Sequence, residues 1–294
     1  KTNYIIMNNS VLGIDIGGTS FKIGQVENGV IVNQISRTVD NKATESDTLL
    51  SLLEGIDSII NSDVTSIGIG VPAVVDSLTG IVYDVQNIPS WKKVPLKEIV
   101  IKRYNLPVYI NNDANCFTLG EKIFGKAKDY ENFIGLSIGT GIGMGIIINN
   151  NLYNGVLCGA GEVGMLPYKD GILEDYSSSL FFLKNYHETA EELSISANKG
   201  NINALQAYTE FGLHLGECLK SILYMYAPES IILGGSISKS FSLFKDAMEL
   251  SLKSFVYQKQ IENLKIDISN QEGIAILGAA SLCFQNSKNS VVLK

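Results

Sequence analysis

Leu12-Gly13-Ile14-Asp15-Ile16-Gly17 and Ile134-Gly135-Leu136-Ser137-Ile138-Gly139 follow one pattern, an apolar strand that ends in a glycine turn. Each leads into a second apolar strand and a hairpin, marked by Asn28-Gly29 in the first copy and by Asn149-Asn150-Asn151 in the second. Internal repetition constrains architecture before any single element does. Two copies of a glycine-turn hairpin predict a duplicated α/β fold with a ligand held between the halves. Chance likeness between two glycine-rich strands is the competing explanation.

Outward from the first copy, residues 11–16, 21–27 and 30–36 read as an antiparallel hairpin sheet. Residues 46–60 place Leu49, Leu52, Leu53, Ile56, Ile59 and Ile60 at helical spacing, with Ser46 or Asp47 as the N-cap. A strand over 66–71 ends at Pro72, a helix is expected over 94–104, a strand over 107–110 and a helix over 114–124. Past Gly171 the pattern turns helical, with 204–226 the longest periodic stretch. A strand over 230–233 runs into Gly234-Gly235, and 274–284 reads as a closing helix. The reading gives an N-terminal α/β domain over 1–116, completed by the closing helix at about 274–294, and a C-terminal α/β domain over 117–273.

At 294 residues the chain is long enough for two such cores. A formal net charge of −7 argues against a nucleic-acid partner, which needs a basic face. Cys116, Cys158, Cys218 and Cys283 lie far apart with no CxxC pair, the usage of buried thiols in a reducing compartment. The first ten residues lack the apolar run of a leader, and no stretch approaches membrane-spanning length. A cytoplasmic protein with no membrane partner is expected.

Asp15-Ile16-Gly17-Gly18-Thr19 is the strongest local signal. A tight glycine turn after a buried strand exposes backbone N–H groups that can cradle phosphate oxygens, and the Thr19 hydroxyl adds a donor. Asp15 can hold Mg²⁺ through water, since that ion keeps several waters and takes few carboxylates. An ordinary hairpin turn with a solvated Asp accounts for the same residues. Gly139-Thr140-Gly141-Ile142-Gly143 stands at the matching place of the second copy, so the two loops together make a phosphate clamp. Gly234-Gly235-Ser236 after an apolar strand offers flat backbone to a nucleoside, or is a plain turn. Asn111-Asn112-Asp113-Ala114-Asn115 marks a strand-to-helix junction. Phosphoryl transfer to an alcohol needs a carboxylate that accepts the hydroxyl proton, which Asp113 suits, while Asn112 can bond a sugar hydroxyl. Helix N-capping is the other use of these residues.

Two near-matches to other motifs are set aside. Gly68 to Ala73 fits a loose dinucleotide pattern, but Pro72 and Val74-Val75 argue against the helix that it must open. Gly120 to Ala127 nearly spells a P-loop, but it follows a helix and puts Ala127 where the Mg²⁺-binding hydroxyl belongs.

DIGGT near the start, NNDANC, GTGIGMGIIINN, GAGEVG and IILGG, in this order, resemble the ROK (repressor, ORF, kinase) family of sugar kinases from about residue 11 to 280. The resemblance implies the actin-like ATPase (ribonuclease H-like) fold, two similar α/β domains with a cleft between them. It implies ATP and Mg²⁺, a small sugar as substrate and a homo-oligomer, dimer or tetramer. The expected reaction is phosphorylation of a hexose, glucose or an N-acetylhexosamine, at its primary hydroxyl O6. By the same resemblance Asp113 is the catalytic base. Gly17, Gly18, Thr19, Gly139, Thr140 and Gly141 bind the ATP phosphates, Gly234 and Gly235 the adenosine, and Asn87, Asn112, Glu162 and Glu174 the sugar.

Two departures bear on that expectation. Met165 stands where the family carries a His, and residues 168–174 lack the family's cysteine cluster, so no structural zinc is expected. Ala73 replaces a frequent Gly at the edge of the sugar site. The alternative readings are a sugar-sensing, non-catalytic ROK protein and a transcriptional regulator without its DNA-binding domain. Asp15 lies too near the first residue for a preceding helix-turn-helix domain, and no catalytic motif is lost, so the kinase is preferred.

Overall fold

Strand β1 (Ser10–Ile16) sorts its side chains to two faces, as a strand must. The computed structural model describes residues 10–289. The reading of the opening segment and of the end of the closing helix therefore falls largely outside the described residues. β1 is followed by β2 (Ser20–Glu27) and β3 (Val30–Thr38), then α1 (Glu45–Asp57) and β4 (Val64–Val71). The short strands β5 (Val74–Asp76), β6 (Ile81–Tyr83) and β7 (Lys93–Val94) precede α2 (Leu96–Tyr104), β8 (Val108–Asn112) and α3 (Asp113–Ile123). The second copy opens with β9 (Phe133–Ile138), β10 (Ile142–Ile148) and β11 (Asn151–Leu152), followed by the ribbon β12 (Pro167–Tyr168) and β13 (Gly171–Ile172). Helices α4 (Leu173–Ser177), α5 (Ser179–Tyr186), α6 (Ala190–Asn198) and α7 (Ile202–Tyr226) lead to β14 (Ser230–Gly234). The chain continues through α8 (Phe241–Leu252), α9 (Gln258–Asn263) and β15 (Lys265–Ile268) to α10 (Ile274–Asn289).

The repeat is visible in the topology. One sheet has the order β3-β2-β1-β4-β8 and the other β11-β10-β9-β14-β15, so the two match strand for strand. In both, the strand after the hairpin lies parallel to the first, β4 beside β1 and β14 beside β9. Both hairpins turn on two left-handed residues, Asn28-Gly29 at φ 50° and 80° and Asn149-Asn150 at φ 50° and 63°. That is the geometry of a two-residue turn whose twist matches the strands.

Contacts divide the chain into two compact units. The first takes the chain to Asp129, then Gly145–Ala160, then Asn270 onward; the second takes Tyr130–Met144 and Gly161–Ser269. In the first unit Leu12, Ile14 and Ile16 of β1 and Ile67, Ile69 and Val71 of β4 face one core with Leu52 and Ile56 of α1 and Val100 of α2. Residues between them face the other side, where α10 lies. Gly68 is required there, because a Cβ on it would stand inside contact distance of the Ala279 carbonyl oxygen. Gly70 leaves room in the same way for Cys116 of α3, so the Ile-Gly alternation of Gly68 to Val71 is the imprint of two helices on one strand. Gly120, in the stretch that nearly spells a P-loop, lies within α3 and packs against Gly278 of α10.

In the second unit Phe182 of α5 stacks on Phe211 of α7 with ring centroids 5.0 Å apart. Phe211 meets Phe244 of α8 edge-on at 5.3 Å. Offset and edge-on pairs of this kind suit the ring quadrupoles and bury large apolar area.

Two boundaries differ from the sequence reading. The N-cap of α1 is Thr44, not Ser46 or Asp47: its hydroxyl accepts from the Asp47 N–H at 3.2 Å and donates to the Asp47 carboxylate at 2.7 Å. Thr44 holds the extended backbone of a cap, φ −67° and ψ 163°, whereas Ser46 and Asp47 already lie within the helix. The helix expected from 94 begins at Leu96, because Val94 pairs with Val82 in β6 and Pro95 ends the strand.

Gly68→Ala is expected to destabilise the first unit by about 2 kcal/mol or more, the scale of overpacking a closed interface. Urea unfolding reads it; an unchanged midpoint would show that α10 can lift from β4 at no cost.

Candidate functional site

The first unit gathers its predicted residues at the carboxyl ends of parallel strands. Asp15 of β1 pairs in register with Gly70 of β4, and Gly70 with Asn111 of β8. The three form one row across the sheet. Ligands of open α/β sheets bind outside such strand ends. Asp113 follows two residues past the row, at the first helical position of α3. A Cβ on Gly70 would stand 3.6 Å from the Asp113 Cα and 3.1 Å from the Cys116 sulfur. Burial pushes the Cys116 thiol well up, and the negative charges of Asp113 and Asp15 add to it, so both carboxylates lie within electrostatic reach of one sulfur.

Asn112 is the N-cap of α3, its Oδ1 accepting from Ala114 N–H at 2.9 Å and Asn115 N–H at 3.4 Å. Its Nδ2 faces the Ala73 carbonyl at 3.4 Å. The capping use read from the sequence is therefore present, and it fixes the helix terminus that carries Asp113. Asp113 Oδ1 accepts from the Ala114 N–H at 2.9 Å, and the helix N-terminal field favours a carboxylate there.

Asp15 is half-buried and faces Lys22 across the β1–β2 pair. Burial raises its pKa above the ordinary value of 3.8, and the Lys22 charge opposes that rise. A half-buried carboxylate whose neighbour Lys22 offsets burial only in part fits a hydrated Mg²⁺, which would add positive charge there. Gly17 closes the turn by donating to the Ser20 carbonyl at 2.9 Å, and Thr19 is exposed. Asn87 is exposed, at φ 64°, and a Cβ on Gly18 would stand 2.7 Å from its Nδ2. The structure thus brings Asn87 against the Gly17-Gly18-Thr19 turn.

The second unit holds the other set. Gly139 N–H donates to the Gly141 carbonyl at 3.0 Å, and exposed Thr140 sits at the tip. The loop is pinned by the start of α5: Ser179 N–H donates to the Gly139 carbonyl at 2.9 Å and Ser179 Oγ to the Thr140 carbonyl at 3.3 Å. Glu174 Oε2 accepts from the Ile142 N–H at 2.8 Å and fills the space that a Cβ on Gly141 would need. Glu162 is raised from its ordinary value, first by burial and then by the negative charge of Glu174. Gly234 pairs with Ser137 at the end of β9, so Gly234-Gly235 lies beside the strand that leads into Gly139.

Lys22 and Ser179 stand at the site without belonging to any of the motifs. Lys22 carries a signal in the register of a hairpin that turns at Gly17. Ser179 carries one only as the last of three serines before a helix, with Ser178 as its cap. Among the described residues no group of three or more His, Cys, Asp or Glu side chains gathers as for a metal ion. Nor does any described helix have the length and apolarity to cross a membrane.

The ROK family profile matches residues 11–286. The xylose repressor of Bacillus subtilis is 33% identical over 270 residues, covering 84% of this chain and 70% of its own length. The glucokinase of Thermotoga maritima is 28% identical over 305 residues, covering 92% of this chain and 96% of its own. Among solved structures, a ROK family glucokinase from Streptomyces griseus in complex with glucose and AMPPNP superposes with a TM-score of 0.82 at 25% identity, over 93% of this chain and 99% of that one. The fold of this chain is the actin-like ATPase fold.

Asp15→Asn is expected to raise the melting temperature of the nucleotide-free protein at pH 7 by a few degrees, since it removes a charge that burial opposes. A raised carboxyl contributes its full stability only below its ordinary value of 3.8, and loses that contribution as the pH rises through the raised one. The gap between variant and wild type should therefore narrow on acidification towards pH 4, as scanning fluorimetry would record. A variant that melts lower at pH 7 would mean that the pairing with Lys22 outweighs burial.

Proposed function

Because the chain belongs to the ROK family, we propose that it is an ATP-dependent sugar kinase that phosphorylates a hexose at its primary hydroxyl. The observation that carries the reading is the placing of Asp113. A carboxylate stands at the first position of α3, beyond the strand-end row of Asp15, Gly70 and Asn111. Such a group is what transfer to an alcohol requires, since the hydroxyl must lose its proton as it attacks phosphorus.

In the proposed reaction Asp113 accepts the proton of O6 as the bond from O6 to the γ-phosphorus forms. The bond from that phosphorus to the bridging oxygen breaks, and ADP departs with the electron pair. Gly17, Gly18 and Thr19 in the first unit and Gly139, Thr140 and Gly141 in the second are assigned to the phosphates, through the Thr19 and Thr140 hydroxyls and the N–H groups other than those of Gly17 and Gly139, which donate within their own turns. Gly234 and Gly235 take the nucleoside. Mg²⁺ near Asp15, bound through water, would neutralise phosphate charge.

Asn87, Asn112, Glu162 and Glu174 are assigned to the sugar. The raised Glu162 carboxyl, held up first by burial and then by the charge of Glu174, supports a polyol-binding role, because sugar hydroxyls can donate to it. Glucose with tolerance for N-acetylated hexosamines is the preferred substrate.

A second reading, a sugar sensor without catalysis, is favoured by the 33% identity to a xylose repressor. A coupled ADP-release assay separates the two when run with glucose, N-acetylglucosamine, N-acetylmannosamine, fructose and xylose and with no sugar at all. ADP release that rises at least tenfold with a hexose is expected. Sugar binding by calorimetry with no sugar-dependent ADP release would establish the sensor instead.

A further inference from the structure

Three asparagine amides in the first unit are joined in one line, and we propose that Asn154, at its far end, is a positioning residue for Asp113, acting through Asn111. Asn111 is buried, 4% exposed. Its Nδ2 donates to Asn154 Oδ1 at 2.9 Å, and its Oδ1 accepts from the Asn112 N–H at 2.8 Å and from Asn115 Nδ2 at 2.9 Å. The direction of each bond follows from chemistry. A backbone N–H can only donate, so the Asn111 atom that faces Asn112 is the oxygen, and the atom that faces Asn154 is the nitrogen. Asn154 must therefore present its oxygen.

The near end of the line is the start of α3. Asn111 orients the Asn112 backbone and the Asn115 side chain, and Asn112 Oδ1 caps the same turn through Ala114 and Asn115. Asp113 stands within that turn. A rotation of Asn111 would thus disturb the backbone just before the carboxylate and the Asn115 side chain just after it.

The far end is a folded-back segment. Ala160 N–H donates to the Asn154 carbonyl at 3.1 Å, and Leu157 and Cys158 both hold left-handed backbone at φ 55°. Non-glycine residues keep such a conformation only where surrounding contacts impose it. Cys158 is buried, 3% exposed, in the larger core of the first unit. The segment is therefore held twice, by the core at Cys158 and by the Asn111 amide at Asn154. Segment and helix terminus form one mechanical element, in which Asn154 transmits the placing of residues 154–160 to Asp113.

The kinetic half of this inference rests on the role proposed for Asp113; the coupling itself does not, and two readouts separate them. Asn154→Ala and Asn154→Asp are compared with the wild-type chain. The Asp variant keeps an acceptor for Asn111 Nδ2 and is the conservative control. In the sugar-free protein, hydrogen exchange at the Ala114 and Asn115 amides should quicken at least tenfold in Asn154→Ala and return to within a few-fold of wild type in Asn154→Asp. Turnover should fall on the order of tenfold to a hundredfold in Asn154→Ala, with KM changed less, as expected when a reacting group is misplaced by a fraction of an ångström. Unchanged exchange in Asn154→Ala overturns the coupling, whatever the activity. Faster exchange with unchanged kcat leaves the bond structural and overturns the positioning role. Should the wild type bind sugar without turnover, a tenfold weaker sugar Kd in Asn154→Ala takes the place of the kinetic readout, and an unchanged Kd overturns the proposal.

Discussion

The first unit depends on the packing of one helix against two strands. α10 approaches β1 and β4 so closely that backbone of the helix occupies the space side chains would need at Gly13 and Gly68. The opposite faces of the same strands carry Leu12, Ile14, Ile16, Ile67, Ile69 and Val71 into the larger core. One face is built from bulk and the other from its absence. Close-packed interiors transmit even small volume changes, so the helix adds to the hydrogen bonds in fixing the register of these strands.

That register is what assembles the candidate site. Because Asp15 and Gly70 sit on the helix face of their strands, next to each other and to Asn111, the strand ends place polar groups where α3 begins. The arrangement works against stability at Asp15, whose carboxyl is raised by burial, and again at Glu162 beside Glu174. Groups held against their solvation and then given a partner by a ligand are a recurrent property of functional sites. The second unit repeats the scheme with different fixings. Its loop is held by Ser179 and Glu174, whereas the turn of the first unit is closed by its own backbone at Gly17 and Ser20.

Much of this was legible in the sequence, because the strongest signals are local. Asn28-Gly29 and the Asn149-Asn150 pair announce turns that need left-handed backbone, and the likeness of their flanking strands reveals the repeat. The family resemblance on DIGGT, NNDANC and GAGEVG carried the fold with it. Short or long-range features left no such mark. Strands β5, β6 and β7 have three, three and two residues, too few to show a period. The cap at Thr44 carries no distinguishing mark, because Ser46 and Asp47 are equally good capping types and only the backbone decides among them. The bond from Asn111 to Asn154 spans 43 residues and joins two common polar side chains, so no spacing rule points to it.

The account stands or falls on the carboxylate of Asp113. Replacing it by Asn keeps size and capping geometry but removes the proton acceptor. Steady-state turnover of Asp113→Asn, together with calorimetric titration of its preferred hexose, is the most direct measurement. The account predicts a kcat lower by about 10² to 10⁴, the range for loss of a general base, with a sugar Kd within a few-fold of wild type. A variant that turns over within a few-fold of wild type would contradict it.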